Sequence, residues 1–466
     1  MKDDIGPFDV RRAGVLLHVT SLPGGDLGEE AYRFVDFLAA AGCTVWQVLP
    51  LVPTHDDDGS PYNALSSMAG NPDLVDRDTW PVEKPADSGE LARWCAEQAD
   101  WLDPYVEFTA LRELHDGSPW LTWEPRLRDR DPEAVASATG SVADRVEELR
   151  LEQWVFARQW GRLREYAASK DVLLFGDLPI FVSLDSADVW AHRALFQLDE
   201  DGRPITVTGC PPDYFAEDGQ RWNNPHYDWE AMAADGFAWW RARIARQREL
   251  FDLVRIDHFR GFEAAWHVPV EAPTARDGEW VKAPGKEVLA ALVEAAGPGS
   301  LVAEDLGVIT PEVDALRTAY RLPGMKVLQF AFDGDPDNPH LPAQHDELSV
   351  VYTGTHDNDT TVGWWDGLDE DARQQVLELT ARGAPSEGST GMPWALIRLA
   401  LSSRARLAVI PAQDLLGLGN EARMNTPGTD EGNWGWQAPA GAFGADLAER
   451  VRSLVVETGR TGSNGG

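Results

Sequence analysis

A chain of 466 residues that is 43% hydrophobic can fill about three domains or one large elaborated barrel. Its 77 acidic and 41 basic residues leave a net charge of −36, which argues against nucleic acid or an anionic membrane as partner. No apolar run approaches the roughly 18 residues needed to span a bilayer. The N-terminal "MKDDIGPFDVRRAG" lacks the apolar stretch of a secretion signal. Cys43, Cys95 and Cys210 lie too far apart for a disulfide framework or a zinc motif, so a reduced, cytoplasmic protein is expected.

In chain order, eight short apolar runs stand out between turn signals: "GVLLHV" from Gly14, "TVWQVLPL" from Thr44, "VLLFGDLPIFV" from Val172 and "FDLVRIDHF" from Phe251. "SLVAEDLG" from Ser300, "MKVLQFAF" from Met325, "SVVYTGTHD" from Ser349 and "RLAVIPAQDLLG" from Arg406 complete the set. Near-continuous apolar runs are the mark of parallel strands covered on both faces. Amphipathic stretches such as "KEVLAALVEAAG" lie between many of them, which predicts a (β/α)8 TIM barrel. The whole chain, 1–466, reads as one catalytic barrel. Insertions over about 78–150 and about 185–235 are expected to form mostly helical subdomains above the active-site face. The second is rich in Pro, Gly, Trp and Asn, a composition that marks a functional loop. Residues 458–466 read as a disordered tail.

Several predicted strands end in charge: Asp177 and Asp185, Asp257, Glu304 and Asp305, Asp357, and Asp414. In a barrel these ends form the active-site floor, so acids from separate strands converge on one pocket. In "VRIDHFRG", Arg255 and Asp257 are two apart and point to the same side of a strand. Arg255 can therefore keep Asp257 ionised, and an ionised carboxylate can act as a nucleophile. Glu304, at the end of the next strand, lies near other carboxylates and partly shielded, conditions that keep an acid protonated. A nucleophile and an acid about 5 Å apart define a retaining glycoside mechanism. In "TGTHDND", Asp357 could stabilise an oxocarbenium ion or bind sugar hydroxyls. His356 and Asp357 lack a third ligand at a metal-binding spacing, so no metal and no cofactor are expected. "HDDDG" at 55–59 lacks the distal glutamate of a calcium loop and reads as a polar turn.

Taken together, "GVLLHVTSLPG", "GSPYNALSSMAGNP", "GDLPIFV", "PPDYFAEDGQRWNNPHYDW", "RIDHFRGF", "VAEDLG", "GTHDNDT" and "PAQDLLGLGNEARMNTPG" resemble, in order and over nearly the whole length, the amylomaltases. These are 4-α-glucanotransferases within the α-amylase clan, and the resemblance implies a barrel with no C-terminal β domain. The resemblance implies Asp257 as nucleophile, Glu304 as acid/base and Asp357 as transition-state stabiliser. Arg255 would orient Asp257, His356 would contact the sugar in the −1 subsite, Tyr62 would form its stacking platform, and Asp177 would line the same pocket. The segment from Pro211 to Trp222 matches the loop that arches over the glucan. There Tyr214 and Phe215 would touch acceptor sugars, Trp222 would stack, and Gln220 would bind substrate.

Twenty tryptophans agree with a carbohydrate ligand, since their faces suit the C–H patches of sugar rings. The implied partners are α-1,4-glucans: maltose, maltodextrins, and starch or glycogen fragments. The protein itself would be a monomer or a weak homo-oligomer. The aromatic loop favours transfer over hydrolysis, because a docked acceptor hydroxyl has a high effective concentration and water is excluded. Three departures from the family pattern are Cys210, His267 where an acid is expected, and "GNWGWQ" near Asn433. They bear on local packing and on glucan-length preference. Lysine occurs only at 2, 84, 170, 282, 286 and 326, which with the acidic excess fits a salt-adapted cell interior or an ordinary acidic surface.

Overall fold

A computed structural model describes residues 6–55, 59–80, 88–212, 217–381, 391–429 and 431–462. In chain order its strands are β1 (Arg12–Leu16), β2 (Val45–Gln47), β3 (Leu173–Pro179), β4 (Thr206–Cys210), β5 (Gln220–Pro225) and β6 (Leu253–Asp257). They continue with β7 (Ala264–Pro269), β8 (Glu279–Lys282), β9 (Leu301–Ala303), β10 (Gly324–Val327), β11 (Ser349–Tyr352) and β12 (Leu407–Pro411). Eight of them form one parallel sheet in the order β10-β11-β12-β1-β2-β3-β6-β9. The Ala303 N–H donates to Pro323 C=O at 2.8 Å, drawing β9 and the start of β10 together so that the sheet curls into a nearly closed barrel. Each of the eight predicted runs overlaps one of these strands, with β1 and β10 starting one or two residues earlier than the run. Among the described residues no helix is long and apolar enough to cross a membrane.

Side chains alternate across each strand, and the alternation sets the site. Leu16, Val45, Phe175, Leu253, Val302, Val350, Leu407 and Val409 fill the barrel interior as one cluster. Their neighbours Val15, Trp46, Leu174, Val254, Leu301, Val351 and Ala408 face the surrounding helices. Asp177 shares the parity of Phe175, and Arg255 and Asp257 share that of Leu253. These charged groups therefore continue the inward face just where the apolar filling stops. Gly176 is required on the opposite face, since a Cβ there would stand 2.2 Å from the Phe251 ring.

The first insertion is helical, with helices Ser88–Glu97, Ala99–Leu114, Pro125–Arg128 and Pro132–Ser141. The helix Ala143–Ser169 then runs 27 residues across the expected boundary near 150 and leads into β3. The second insertion differs from the mostly helical expectation. Between short helices Ala187–Ala191 and Trp229–Ala234 it contributes β4 and β5, which join β7 and β8 in an antiparallel sheet of order β5-β4-β7-β8. Neither strand shows apolar alternation. The pairing breaks register between Val207 and Gly209, and Asn223 has φ +65°. These irregularities explain why the strands are not visible as a sequence pattern.

The tail also differs from the disorder expected over 458–466. Arg460 is fully buried and donates to the carbonyls of Leu401, Ser403 and Arg12 at 2.6, 2.6 and 3.0 Å. Thr461 bridges back to Arg12. The last four residues of the chain lie outside the described ones.

Candidate active site

The inward ends of β3 and β6 are joined by charge. Asp177 and Arg255 are direct cross-strand partners. Arg255 Nη1 bonds Asp177 Oδ2, and Arg255 Nη2 bonds Asp257 Oδ1 at 2.6 Å. Both Asp177 and Arg255 are buried. Burial alone would lower the guanidinium's pKa, but Asp177 and then Asp257 outweigh it and hold Arg255 well above its ordinary value. Tyr62 Oη donates to Asp177 Oδ2 at 2.6 Å, so the aspartate that anchors Arg255 is itself anchored from a different loop. Arg255 thus cannot swing away from Asp257 without leaving a buried carboxylate behind.

Glu304 follows β9. His258, just past Asp257, has φ +52°, a costly conformation for a residue with a Cβ. That turn aims the His258 N–H at Glu304 Oε2, 2.7 Å away, while the Leu306 N–H donates to Oε1 at 2.8 Å. The two amides fix the carboxyl's orientation. Burial, followed by the negative charge of Asp257, still pushes its pKa up to about 8. Two neighbouring carboxyls thus stand in contrasting settings. Asp257 is ion-paired and partly open to solvent, with a side chain 28% exposed, whereas Glu304 favours its neutral acid near pH 7.

Asp357 lies beyond β11 on the far side. His356 Nε2 is 3.3 Å from its Oδ1, Asn425 Nδ2 donates to Oδ1 at 2.6 Å, and Arg423 Nη2 donates to its carbonyl at 2.6 Å. The His356 ring stacks on Tyr62, with centroids 5.3 Å apart and planes 8° apart, and Trp434 closes the group at 5.7 Å from Tyr62 and 6.1 Å from His356. Trp434 itself has φ +63°, and its N–H is held by Met424 C=O at 2.7 Å.

Among the predicted residues, Tyr62, Asp177 and Asp257 are linked through Arg255, and Asp257 electrostatically reaches Glu304. His356 and Asp357 join the same group through the Tyr62 stack. Trp222 packs edge-on to His258 at 4.8 Å, and Gln220 Oε1 accepts from Trp222 Nε1 at 3.2 Å. Tyr214 and Phe215 lie outside the described residues.

Three other strand-end acids are used elsewhere. Asp185 pairs with Arg112 at 3.2 Å. Asp305 pairs with Arg317 at 3.1 Å and accepts the Met325 N–H at 2.6 Å. Asp414 is buried against Thr353 and Thr361. Sequence reasoning missed Asn425, Arg423 and Trp434 as site residues. The segments "RMNTPG" and "GNWGWQ" drew attention, yet nothing in their spacing shows that they meet the end of β11.

Comparison with known proteins gives one result throughout. A family described as 4-alpha-glucanotransferase, glycoside hydrolase family 77, matches residues 17–86 and 81–441. The chain is 45% identical to the 4-alpha-glucanotransferase of Thermus thermophilus over 97% of its own length and 99% of that protein. It is 42% identical to the chloroplastic/amyloplastic 4-alpha-glucanotransferase of Solanum tuberosum, over 97% of this chain and 86% of that one. The solved amylomaltase from Streptococcus agalactiae in complex with acarbose superposes with a TM-score of 0.92 at 31% identity, covering 97% of this chain and 99% of that one. With its barrel, its strand-end acids and these relatives, the chain belongs to the 4-alpha-glucanotransferase family and is an enzyme of that class.

Proposed function

We propose that this enzyme moves a segment of α-1,4-glucan from a donor maltodextrin to the 4-hydroxyl of an acceptor glucose or maltodextrin by two displacements at one anomeric carbon. In the first, an Asp257 carboxylate oxygen bonds to C1 of the donor sugar. The C1–O4 bond breaks, and Glu304 delivers its proton to the departing oxygen. In the second, the acceptor's 4-OH attacks C1, Glu304 takes back the proton, and the ester to Asp257 breaks. Asp357 faces the positive charge that builds on the sugar ring in both transition states.

The observation that carries this reading is the contrast between the two carboxyls. Asp257 is ion-paired to a buried arginine, and Glu304 is biased toward the protonated acid by burial and by Asp257 itself. Tyr62, His356 and Trp434 give the sugar of the −1 subsite an aromatic wall. Trp222 and Gln220 are assigned to the acceptor side, and Tyr214 and Phe215, outside the described residues, are assigned there on the family resemblance alone. Soluble maltodextrins and starch or glycogen fragments are the corresponding substrates. Cys43, Cys95 and Cys210 form no disulfide with one another among the described residues, which supports a reducing, cytoplasmic setting.

A time course on maltotriose with separation of products tests the reading. Transfer yields glucose together with longer chains at a constant number of reducing ends. A steady rise in reducing ends without longer products would mean a hydrolase.

A further inference from the structure

The edge of the antiparallel sheet carries an aromatic residue that the reaction as described does not use. Trp280 lies on β8, the outermost strand, and is 38% exposed. Edge strands seldom present large apolar rings, because they invite pairing with other chains. Its ring is nevertheless fixed. The Arg260 guanidinium carbon sits 3.6 Å from the ring centroid, and Trp266 meets it edge-on at 5.2 Å. Arg260 is itself buried, so it supports the ring from the protein side.

Arg260 also fixes where this platform stands. Its Nη1 donates to Val308 C=O at 2.7 Å. Val308 is four residues beyond Glu304, so their Cα atoms are at most about 14 Å apart. Glu304 protonates the leaving oxygen and deprotonates the incoming one, and both oxygens belong to the acceptor side of the reacting bond. The Val308 side chain is exposed beside the platform. Arg276, in the connection between β7 and β8, pairs with Glu217 and Asp218 at the β5 end of the connection between β4 and β5. Through Arg260 the aromatic platform is therefore tied to the segment that follows Glu304.

We infer that Trp280 is a distal acceptor subsite, which stacks an outer glucose unit of the leaving or incoming α-1,4-glucan and so sets the preference for acceptor length. A neutral polymer suits this place, since a surface of net charge −36 does not repel it. The inference rests on the transferase reading.

The test uses maltotriose as donor and reducing-end-labelled glucose or maltopentaose as acceptor, comparing the enzyme with Trp280→Ala and Trp280→Leu. The leucine variant keeps apolar cover over Arg260 and removes the flat ring, so it reads the platform even if the alanine variant folds poorly. Expected is a fall of about five- to tenfold in the ratio of KM for glucose to KM for maltopentaose, carried by a rise in the maltopentaose KM at little change in kcat. Trp280→Phe should recover most of it. Equal changes for both acceptors, or none, would overturn the subsite and leave Trp280 as cover for Arg260. Failure of the unaltered enzyme to lengthen any labelled acceptor would instead sink the transferase reading, and this one with it.

Discussion

At the barrel rim and in the antiparallel sheet above it, side chains are held by different means. On the rim, Asp177, Arg255 and Asp257 are bound to one another, Glu304 is gripped by two backbone amides, and Asp357 is tied to His356 and Asn425. In and beside the sheet, several side chains are held ring against ring. His226 and His267 stack with centroids 3.4 Å apart, and Trp266 meets Trp280. The β5 end of the connection between β4 and β5 is held by Arg276 through exposed ion pairs with Glu217 and Asp218, a kind of tie that is worth little in water. Charge that must act at one anomeric carbon has to be fixed in advance, because rearranging it in a poorly solvated pocket is costly. A neutral sugar chain of varying length asks less of its binding surface, and weaker stacking contacts serve it.

The sharpest way to break the rim is to remove the nucleophile proposed for it. Asp257→Asn should lower transfer by about 10³-fold or more while maltodextrin still binds, because an amide cannot form the glycosyl ester. Activity within about tenfold of the unaltered enzyme would unseat Asp257. Arg255→Met should act on stability as well as on rate. It leaves Asp177 buried without its cation, at a cost of about 3–5 kcal/mol by denaturant unfolding. A loss below about 1 kcal/mol would show that the pair is not holding the rim.

The rim should also impose a pH limit that the sheet does not. In the proposed mechanism Glu304 carries a proton into the first displacement, and its pKa is raised to about 8. As pH rises through that value the acid form is lost, so kcat/KM should be flat near neutrality and fall about tenfold per unit above pH 8. A profile flat to pH 10 would contradict the assignment. The smallest effect belongs to Tyr214 and Phe215, the acceptor contacts that the family resemblance implies. Tyr214→Ala with Phe215→Ala should lower transfer about fivefold more than hydrolysis, raising the yield of new reducing ends per transferred glucose. Equal loss of both reactions would reduce the loop to a structural cover.

The same division explains what could be read in advance. Barrel strands are buried on both faces, so "FDLV" and "SLVA" appear as unbroken apolar runs, and charge directly after such a run stands out. Arg255 with Asp257, and Glu304, are legible for that reason. Strands β4 and β5 have polar residues, a register break and a left-handed asparagine, and no period survives that. Trp434 and Asn425 reach the site from a segment nearly seventy residues beyond Asp357, a proximity created by barrel closure alone. Asp305 and Asp414 show the converse. Each follows a strand closely, Asp305 just beyond β9 and Asp414 in the short helix Ala412–Leu416 after β12, but each is taken up by local partners such as Arg317 or Thr361. Charge at a strand end marks a candidate, and the neighbours that fold against it decide its use.

The pairing of β1 with β12 joins positions about 400 residues apart, Arg12 opposite Leu407, and buried Arg460 ties the same seam. On the ribosome, β1 can pair with β2 early, but its other edge has no partner until β12 emerges. Closing so long a loop adds only modest entropy over a shorter one. The larger consequence is kinetic, since the nascent barrel must wait with an open apolar edge during most of its synthesis. Mutations that weaken the β1–β12 seam should therefore reduce the yield of folded protein in cells more than they reduce the activity of the molecules that close.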